Sequence, residues 1–98
     1  MTPIAFTEMN IKRAPSSAGI YALYRDGEVI YYGHAVGKAT IQSRLKDDIA
    51  GRGVAGTRNA MSFTWEACSD PGAREAVLLA DFQKAHSSLP RCNVPQGA

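Results

Sequence analysis

Residues 19–33 read GIYALYRDGEVIYYG, the strongest structural signal in the chain. Residues 19–24 and 28–32 are two runs rich in β-forming side chains, and the turn signal Arg25-Asp26-Gly27-Glu28 joins them. Both runs are apolar on both faces, so we expect the hairpin to be covered on each side. A tight hairpin would bring together phenols from separate positions in the chain.

The turn determines which tyrosines meet. If Asp26-Gly27 alone form the loop, Tyr21 lies opposite Tyr32. If the loop also includes Arg25, with glycine in the left-handed position, Tyr21 lies opposite Tyr31. A functional pair requires Tyr21 and Tyr31 on one face, and we therefore predict the three-residue loop with a bulge.

The rest of the chain predicts a helix, a strand and a second helix. Thr40 is a suitable N-cap for a helix with apolar residues at positions 41, 45 and 49, and Gly51 follows as a stop signal. Residues 61–67 alternate apolar and polar side chains, as in a half-buried strand. Asp70-Pro71 begins a helix that we expect to end near His86. The prediction is an α+β fold: a small three-stranded antiparallel sheet flanked by helices, preceded by a lead-in over residues 1–18.

Length and composition favour one globular domain over residues 1–98. The net charge of +2 is mildly basic and does not by itself indicate a nucleic-acid partner. No apolar run approaches the roughly 18 residues that span a bilayer. We see no signal-peptide pattern at the start, so the expected location is cytoplasmic, with no membrane partner. The two cysteines form no zinc-binding pattern.

Three further residues complete a recognisable set. Arg44 lies in the first predicted helix, Glu75 lies in the second, and Asn93 lies near the C-terminus. These residues, in this order after the Gly-Ile-Tyr and Tyr-Tyr-Gly triplets, resemble the GIY-YIG nuclease family over about residues 17 to 94. The resemblance implies a GIY-YIG-like fold and a metal-dependent endonuclease that hydrolyses phosphodiester bonds, with DNA expected over RNA.

The resemblance gives the tyrosines a catalytic role. The family's first tyrosine is the favoured general base, and this role falls on Tyr21, helped by Tyr31 or by His34. A phenol has an ordinary pKa of about 10, so it needs a nearby cation or metal-bound water to act near neutral pH. The alternative is that the tyrosines are core residues and that His34 is an ordinary loop histidine.

The remaining family residues would handle the phosphate and the metal. Arg44 would stabilise charge on the scissile phosphate; its alternative role is an exposed helix arginine paired with Asp48. Glu75 would hold one Mg²⁺ or Mn²⁺ ion, because one carboxylate with waters and substrate phosphate is a usual Mg²⁺ coordination set. Asn93 would support the site, unless it is a simple turn residue.

Basic residues outside this set would hold the nucleic-acid backbone through salt-sensitive contacts. We expect these contacts from Lys38, Lys46, Arg52 and Arg58. Larger members of the family attach a separate DNA-binding domain. For this chain we therefore expect low sequence specificity or a partner protein that supplies it, and its oligomeric state is left open.

Asp48 departs from the family pattern. Many members carry histidine or tyrosine four residues after the arginine, where this chain has an aspartate. Three interpretations stay open: a natural variation, a second metal ligand, or a substitution that weakens the enzyme. The third leads to an alternative function, a catalytically impaired nucleic-acid-binding module that retains the fold.

Overall fold

A computed structural model describes residues 1–94 as an antiparallel sheet with helices on both faces. The sheet has four strands in the order β1-β4-β2-β3. The strands are β1 (Ile4–Ala5), β2 (Gly19–Arg25), β3 (Glu28–Ala35) and β4 (Ser62–Ala67). The helices are α1 (Glu8–Ile11), α2 (Ile41–Ile49) and α3 (Pro71–His86), with a short 3-10 helix at Thr57–Asn59. No described helix combines the length and apolar character needed to cross a membrane.

The β2–β3 hairpin turns through two residues and then bulges. Asp26 and Gly27 both have positive φ, 52° and 78°, which is typical of a tight primed turn. Arg25 therefore pairs with Glu28, and the predicted three-residue loop is wrong. A bulge at Ile30 inserts one extra residue into β3, so that residue 23 pairs with residue 31.

The bulge nevertheless places Tyr21 and Tyr31 on the same face. Beyond the bulge, Tyr21 lies opposite Gly33, and Leu23 lies opposite Tyr31. Residues two apart on a strand share a face, so Tyr21 and Tyr31 are diagonal neighbours. A plain two-residue hairpin would have paired Tyr21 with Tyr32 and turned Tyr31 to the other side.

Helix α2 covers the face that carries the two tyrosines. Thr40 caps it as predicted and forms a capping box with Ser43. Its apolar stripe packs into the core, where Ile41 and Leu45 are fully buried. Phe63 of β4 is also fully buried in this core, beside Phe6. Helix α2 thus holds its intervening polar residues beside the tyrosines.

Helix α3 lies on the opposite face of the sheet. Asp70 caps its first turn, Pro71 is its first residue, and it ends at His86 as predicted. Phe82 contacts the ring of Tyr32, whose side chain points away from Tyr31. The hairpin is therefore covered on both faces, as its composition predicts.

Two parts of the chain differ from expectation. The lead-in contains strand β1, which pairs with β4, and helix α1, which Thr7 caps. Both elements are too short to leave a periodic signal in the sequence. Strand β3 continues to Ala35, where a loop is predicted to begin at Gly33, because residues 33–35 pair with the start of β2.

Candidate active site

The two phenols are adjacent in the core. The rings of Tyr21 and Tyr31 are 6.1 Å apart between centroids, and Tyr21 is only 1% exposed. The Tyr21 ring lies across Gly33, where a Cβ atom would clash with the ring. This close approach requires glycine at position 33. It explains why the Tyr-Tyr-Gly triplet ends in glycine.

Arg44 projects from α2 beside both tyrosines. Desolvation lowers the pKa of the Arg44 guanidinium, but electrostatic interaction with Tyr21 and Tyr31 raises it overall, although the Tyr21 hydroxyl makes no hydrogen bond within residues 1–94. Asp48 is nearby, but no ion pair within 4 Å joins Arg44 to any carboxylate of residues 1–94. The alternative of an Arg44–Asp48 helix pair is therefore not observed, and the arginine keeps its charge available.

Asp48 is buried at the centre of this group. It is 3% exposed, and its Oδ1 accepts a long hydrogen bond of 3.4 Å from the Thr57 hydroxyl. Burial raises the pKa of the Asp48 carboxyl, against the opposing effects of Tyr21, Arg44 and Thr57. From the sequence, Asp48 is considered as a departure from the family pattern, as a second metal ligand and as an alternative partner of Arg44, whereas Thr57 is missed, because the sequence carries no signal for it.

Both phenols are poor acids in this setting. Burial is the main cause that raises the pKa of Tyr21 far above its ordinary value, and the Asp48 carboxylate adds to it. The pKa of Tyr31 is raised for the same two reasons, partly offset by Arg44. The arginine is thus not sufficient to make either tyrosine a phenolate near neutral pH.

His34 and Glu75 form a second group on the other face. Nδ1 of His34 lies 2.7 Å from Oε2 of Glu75, and the Glu75 side chain is 18% exposed. Alternation along β3 puts His34 on the α3 side, away from Tyr31. The Glu75 carboxylate is still near enough to contribute to the raised pKa of Tyr31. The residues of the predicted site therefore form two groups on opposite faces of β3, and the charge of Glu75 in one group acts on Tyr31 in the other.

Glu75 is suited to hold a divalent cation. Its contact with His34 fixes the orientation of the carboxylate, as partners around metal ligands commonly do. Oε1 makes no hydrogen bond within residues 1–94, so it remains open to a ligand. The same residues contain no group of three or more His, Cys, Asp or Glu side chains that could hold a metal. A hydrated ion bound by one carboxylate fits these donors.

Asn93 binds the free edge of β3. Its Oδ1 accepts from the backbone N–H of Tyr32 at 2.9 Å, and its Nδ2 donates to the Tyr32 carbonyl at 2.9 Å. The backbone N–H of Cys92 also donates to the Ile30 carbonyl. One side chain thus takes the place of a neighbouring strand, and it fixes the backbone between Tyr31 and Gly33.

The predicted basic residues are distributed around α2. Arg52 and Arg44 line one cavity of about 280 Å³, which also includes Asp48. Arg52 is exposed and bonds to Asp47 at 3.3 Å. Lys46 lines a separate cavity with Arg52, on the α1 side. Lys38 and Arg58 are exposed in the segments that precede and follow α2.

Comparison with known proteins assigns the fold. No family model matches the sequence, and no curated protein sequence matches it. Two crystal structures of the GIY-YIG N-terminal endonuclease domain of UvrC from Thermotoga maritima match the structure. Both are point mutants in which a tyrosine is replaced by phenylalanine, and both are bound to the catalytic divalent cation.

The similarity extends over nearly the whole of both chains. The alignment covers 89% of this chain and 93% of each UvrC domain, at a TM-score of 0.61. The sequence identities are 21% and 20%. At this identity the likeness shows the fold: this chain has the GIY-YIG fold, and the sequence prediction of that fold is confirmed.

Proposed function

We propose that the chain is a metal-dependent endonuclease that hydrolyses phosphodiester bonds, with DNA expected over RNA and low intrinsic sequence specificity. One observation carries the proposal. Arg44, without an ion-pair partner within residues 1–94, interacts electrostatically with Tyr21 and Tyr31, whose rings are adjacent. An available guanidinium beside two hydroxyl groups is an arrangement that can bind a phosphate and position a water molecule.

Each residue of the site has a separate task. Arg44 would bind the scissile phosphate and stabilise the additional negative charge of the transition state. Tyr21 would position and deprotonate the attacking water, and Tyr31 would hold a phosphate or water oxygen beside it. Asn93 would keep the β3 backbone in place, so that Tyr31 keeps its geometry.

The carboxylate of Glu75, oriented by His34, would hold Mg²⁺ or Mn²⁺. A divalent cation there would reach the phosphate bound by Arg44 around the outer edge of β3, at Tyr31, on which the Glu75 charge acts; it would offset phosphate charge and polarise the leaving oxygen. The cations in the UvrC domain structures are consistent with such a site. His34 would then be a positioning residue for Glu75, since its side chain lies on the face opposite Tyr21.

Backbone binding would come from the basic residues near α2. Arg52 shares a cavity with Arg44, and an elongated phosphate chain could contact both. Lys38, Lys46 and Arg58 would extend this contact. Such binding depends on salt and does not depend on base sequence.

The first test is cleavage of plasmid, branched and single-stranded DNA, and of RNA, with Mg²⁺, Mn²⁺ or EDTA. Arg44→Ala should lower the rate by about 10²–10³-fold, because a charge-stabilising donor is removed. Arg13→Ala, a change at an exposed arginine before β2, is the control and should cut normally. Equal rates for Arg44→Ala and wild type would contradict the assigned site.

The second test concerns the cation. Glu75→Gln should lose Mn²⁺ binding in calorimetry and lose metal-dependent cutting. Glu66→Gln should retain both, because that exposed glutamate pairs with Arg74. Undiminished Mn²⁺ binding by Glu75→Gln would refute the metal assignment, whatever the nuclease activity.

The buried Asp48 favours a second candidate function. Its negative charge near Arg44 would oppose a bound phosphate, as in a nucleic-acid-binding module with impaired catalysis. In that case Asp48→Asn should cut faster than wild type, or should bind DNA more tightly without cutting. A slower Asp48→Asn enzyme would exclude impairment by Asp48.

A further inference from the structure

Two buried polar atoms lack hydrogen-bond partners within residues 1–94. They are the hydroxyl oxygen of Tyr21 and Oδ2 of Asp48. Their residues are 1% and 3% exposed, so both atoms lie below the surface, and the attacking water must enter the site to reach the Tyr21 hydroxyl. Unpaired buried groups are rare in native proteins, and each calls for a physical explanation.

The two unpaired atoms belong to side chains that interact with each other. Burial raises the pKa of the Asp48 carboxyl and Tyr21 lowers it, although no hydrogen bond joins the two side chains in this structure. The Thr57 hydroxyl donates a hydrogen bond to Oδ1 of Asp48. A Cβ atom on Gly53 would clash with this same oxygen. Oδ1 is therefore enclosed, and Oδ2 is the oxygen left for the phenol.

If a phenol in this site is to take a proton from water, its own hydroxyl proton must pass to an acceptor. Because burial and Asp48 raise the pKa of Tyr21, a standing phenolate is not present near neutral pH. The pKa of Tyr31 is also raised, and His34 bonds to Glu75 on the other face. Within residues 1–94, Asp48 is the carboxylate whose charge contributes to the raised pKa of Tyr21.

We propose that Asp48 accepts the Tyr21 hydroxyl proton, so that Tyr21 and Asp48 act together as a proton relay for the attacking water. The proposal rests on the hydrolytic function given above, and it adds a catalytic residue to that function. Asp48 is then a functional substitution at this position, and not a lesion or a metal ligand.

The relay is balanced in protons and bonds. A water O–H bond breaks as its proton moves to Tyr21 Oη, while the Tyr21 proton moves to Asp48 Oδ2. The resulting hydroxide donates an electron pair to phosphorus and forms the new P–O bond. The leaving oxygen keeps the electron pair of the P–O bond that breaks, and it takes a proton from solvent. Asp48 later returns its proton to solvent through Tyr21.

The kinetic test replaces the acceptor and keeps its shape. Asp48→Asn cannot accept a proton, so the single-turnover rate should fall by about 10²–10⁴-fold. Asp81→Asn, at an exposed aspartate of α3, should stay near the wild-type rate. The wild-type rate should also rise with pH through an ionisation that Asp48→Asn lacks. The other titratable groups near Asp48 are Asp47, Arg44, Tyr31 and Cys92.

A second test needs no activity. The titration of the Asp48 carboxyl carbon is followed by ¹³C NMR in wild type, Tyr21→Phe and Tyr24→Phe. Phenylalanine at position 21 removes the donor, so the Asp48 pKa should rise. Tyr24→Phe should leave it unchanged, because the Tyr24 hydroxyl bonds to Thr64 on the other face.

The outcomes separate the relay from the function it depends on. An unchanged Asp48 pKa in Tyr21→Phe refutes the relay, and so does an Asp48→Asn enzyme that cuts at the wild-type rate or faster. In both cases a wild type that cuts DNA leaves the endonuclease function standing. A wild type that cuts no nucleic acid refutes the function and the relay together, even if the NMR titration shows the Tyr21–Asp48 contact.

Discussion

Removing the Asn93 side chain should open the outer edge of the sheet. Strand β3 is the last strand on its side, and the Asn93 amide satisfies both backbone groups of Tyr32. In Asn93→Ala these groups lose both bonds. Asn93→Asp keeps an acceptor for the Tyr32 N–H but has no donor for the Tyr32 carbonyl.

The size of the effect follows from two partly buried hydrogen bonds. Each contributes about 0.5–1.5 kcal/mol, so Asn93→Ala should lower the free energy of unfolding by about 1–3 kcal/mol. In a domain of this size, each kcal/mol corresponds to about 4–8 °C in Tm. Asn93→Asp should lower the free energy of unfolding by at least half of the Asn93→Ala value, because its carboxylate faces the Tyr32 carbonyl.

Thermal unfolding and amide hydrogen exchange measure the two consequences separately. Exchange of the Tyr32 amide should become fast in Asn93→Ala and stay slower in Asn93→Asp. Asn10→Ala is the control, since it removes one exposed bond to Ala5 and should change stability by less. An Asn93→Ala protein with wild-type Tm and a protected Tyr32 amide would refute the edge-binding role.

Three other perturbations have equally direct outcomes. Gly33→Ala should push the Tyr21 ring aside, cost about 1–3 kcal/mol of stability by denaturant unfolding, and reduce cleavage; normal cleavage would contradict the tight contact. Asp48→Asn should raise Tm. Because folding raises the Asp48 pKa, wild-type stability is full below the ordinary carboxyl pKa of about 3.9 and falls as pH rises above it. The Tm difference should therefore widen from pH 4 to pH 7, and a constant difference would be evidence against a raised pKa. Arg52→Ala should weaken DNA binding and reduce the slope of log binding constant against log salt concentration by about one unit. An unchanged slope would show that Arg52 does not contact the DNA backbone.

Local sequence signals predict most of the secondary structure. The Thr40 cap and the apolar stripe predict α2, Asp70-Pro71 predicts the start of α3, and alternation predicts β4. These features depend on residues a few positions apart, and the types of those residues can be read directly from the sequence. The turn is different, because Asp26-Gly27 is compatible with more than one register until the strands pair.

The site is predicted as a set of residues but not as an arrangement. Tyr21, Tyr31 and Arg44 come together as the sequence suggests. The placement of His34 on the opposite face follows from the continuation of β3 to Ala35, where the sequence predicts a loop from Gly33. The burial of Asp48 depends on Thr57, which approaches it from a separate segment.

Local backbone preference and side-chain periodicity, both legible in the amino-acid sequence, specify the hairpin, the capped helices and the chemical groups that are available. Tertiary packing sets the position of the bulge in β3, the binding of Asn93 to the outer strand and the burial of Asp48 near Tyr21. The last two features join segments that are distant along the chain, so they form only when the core packs.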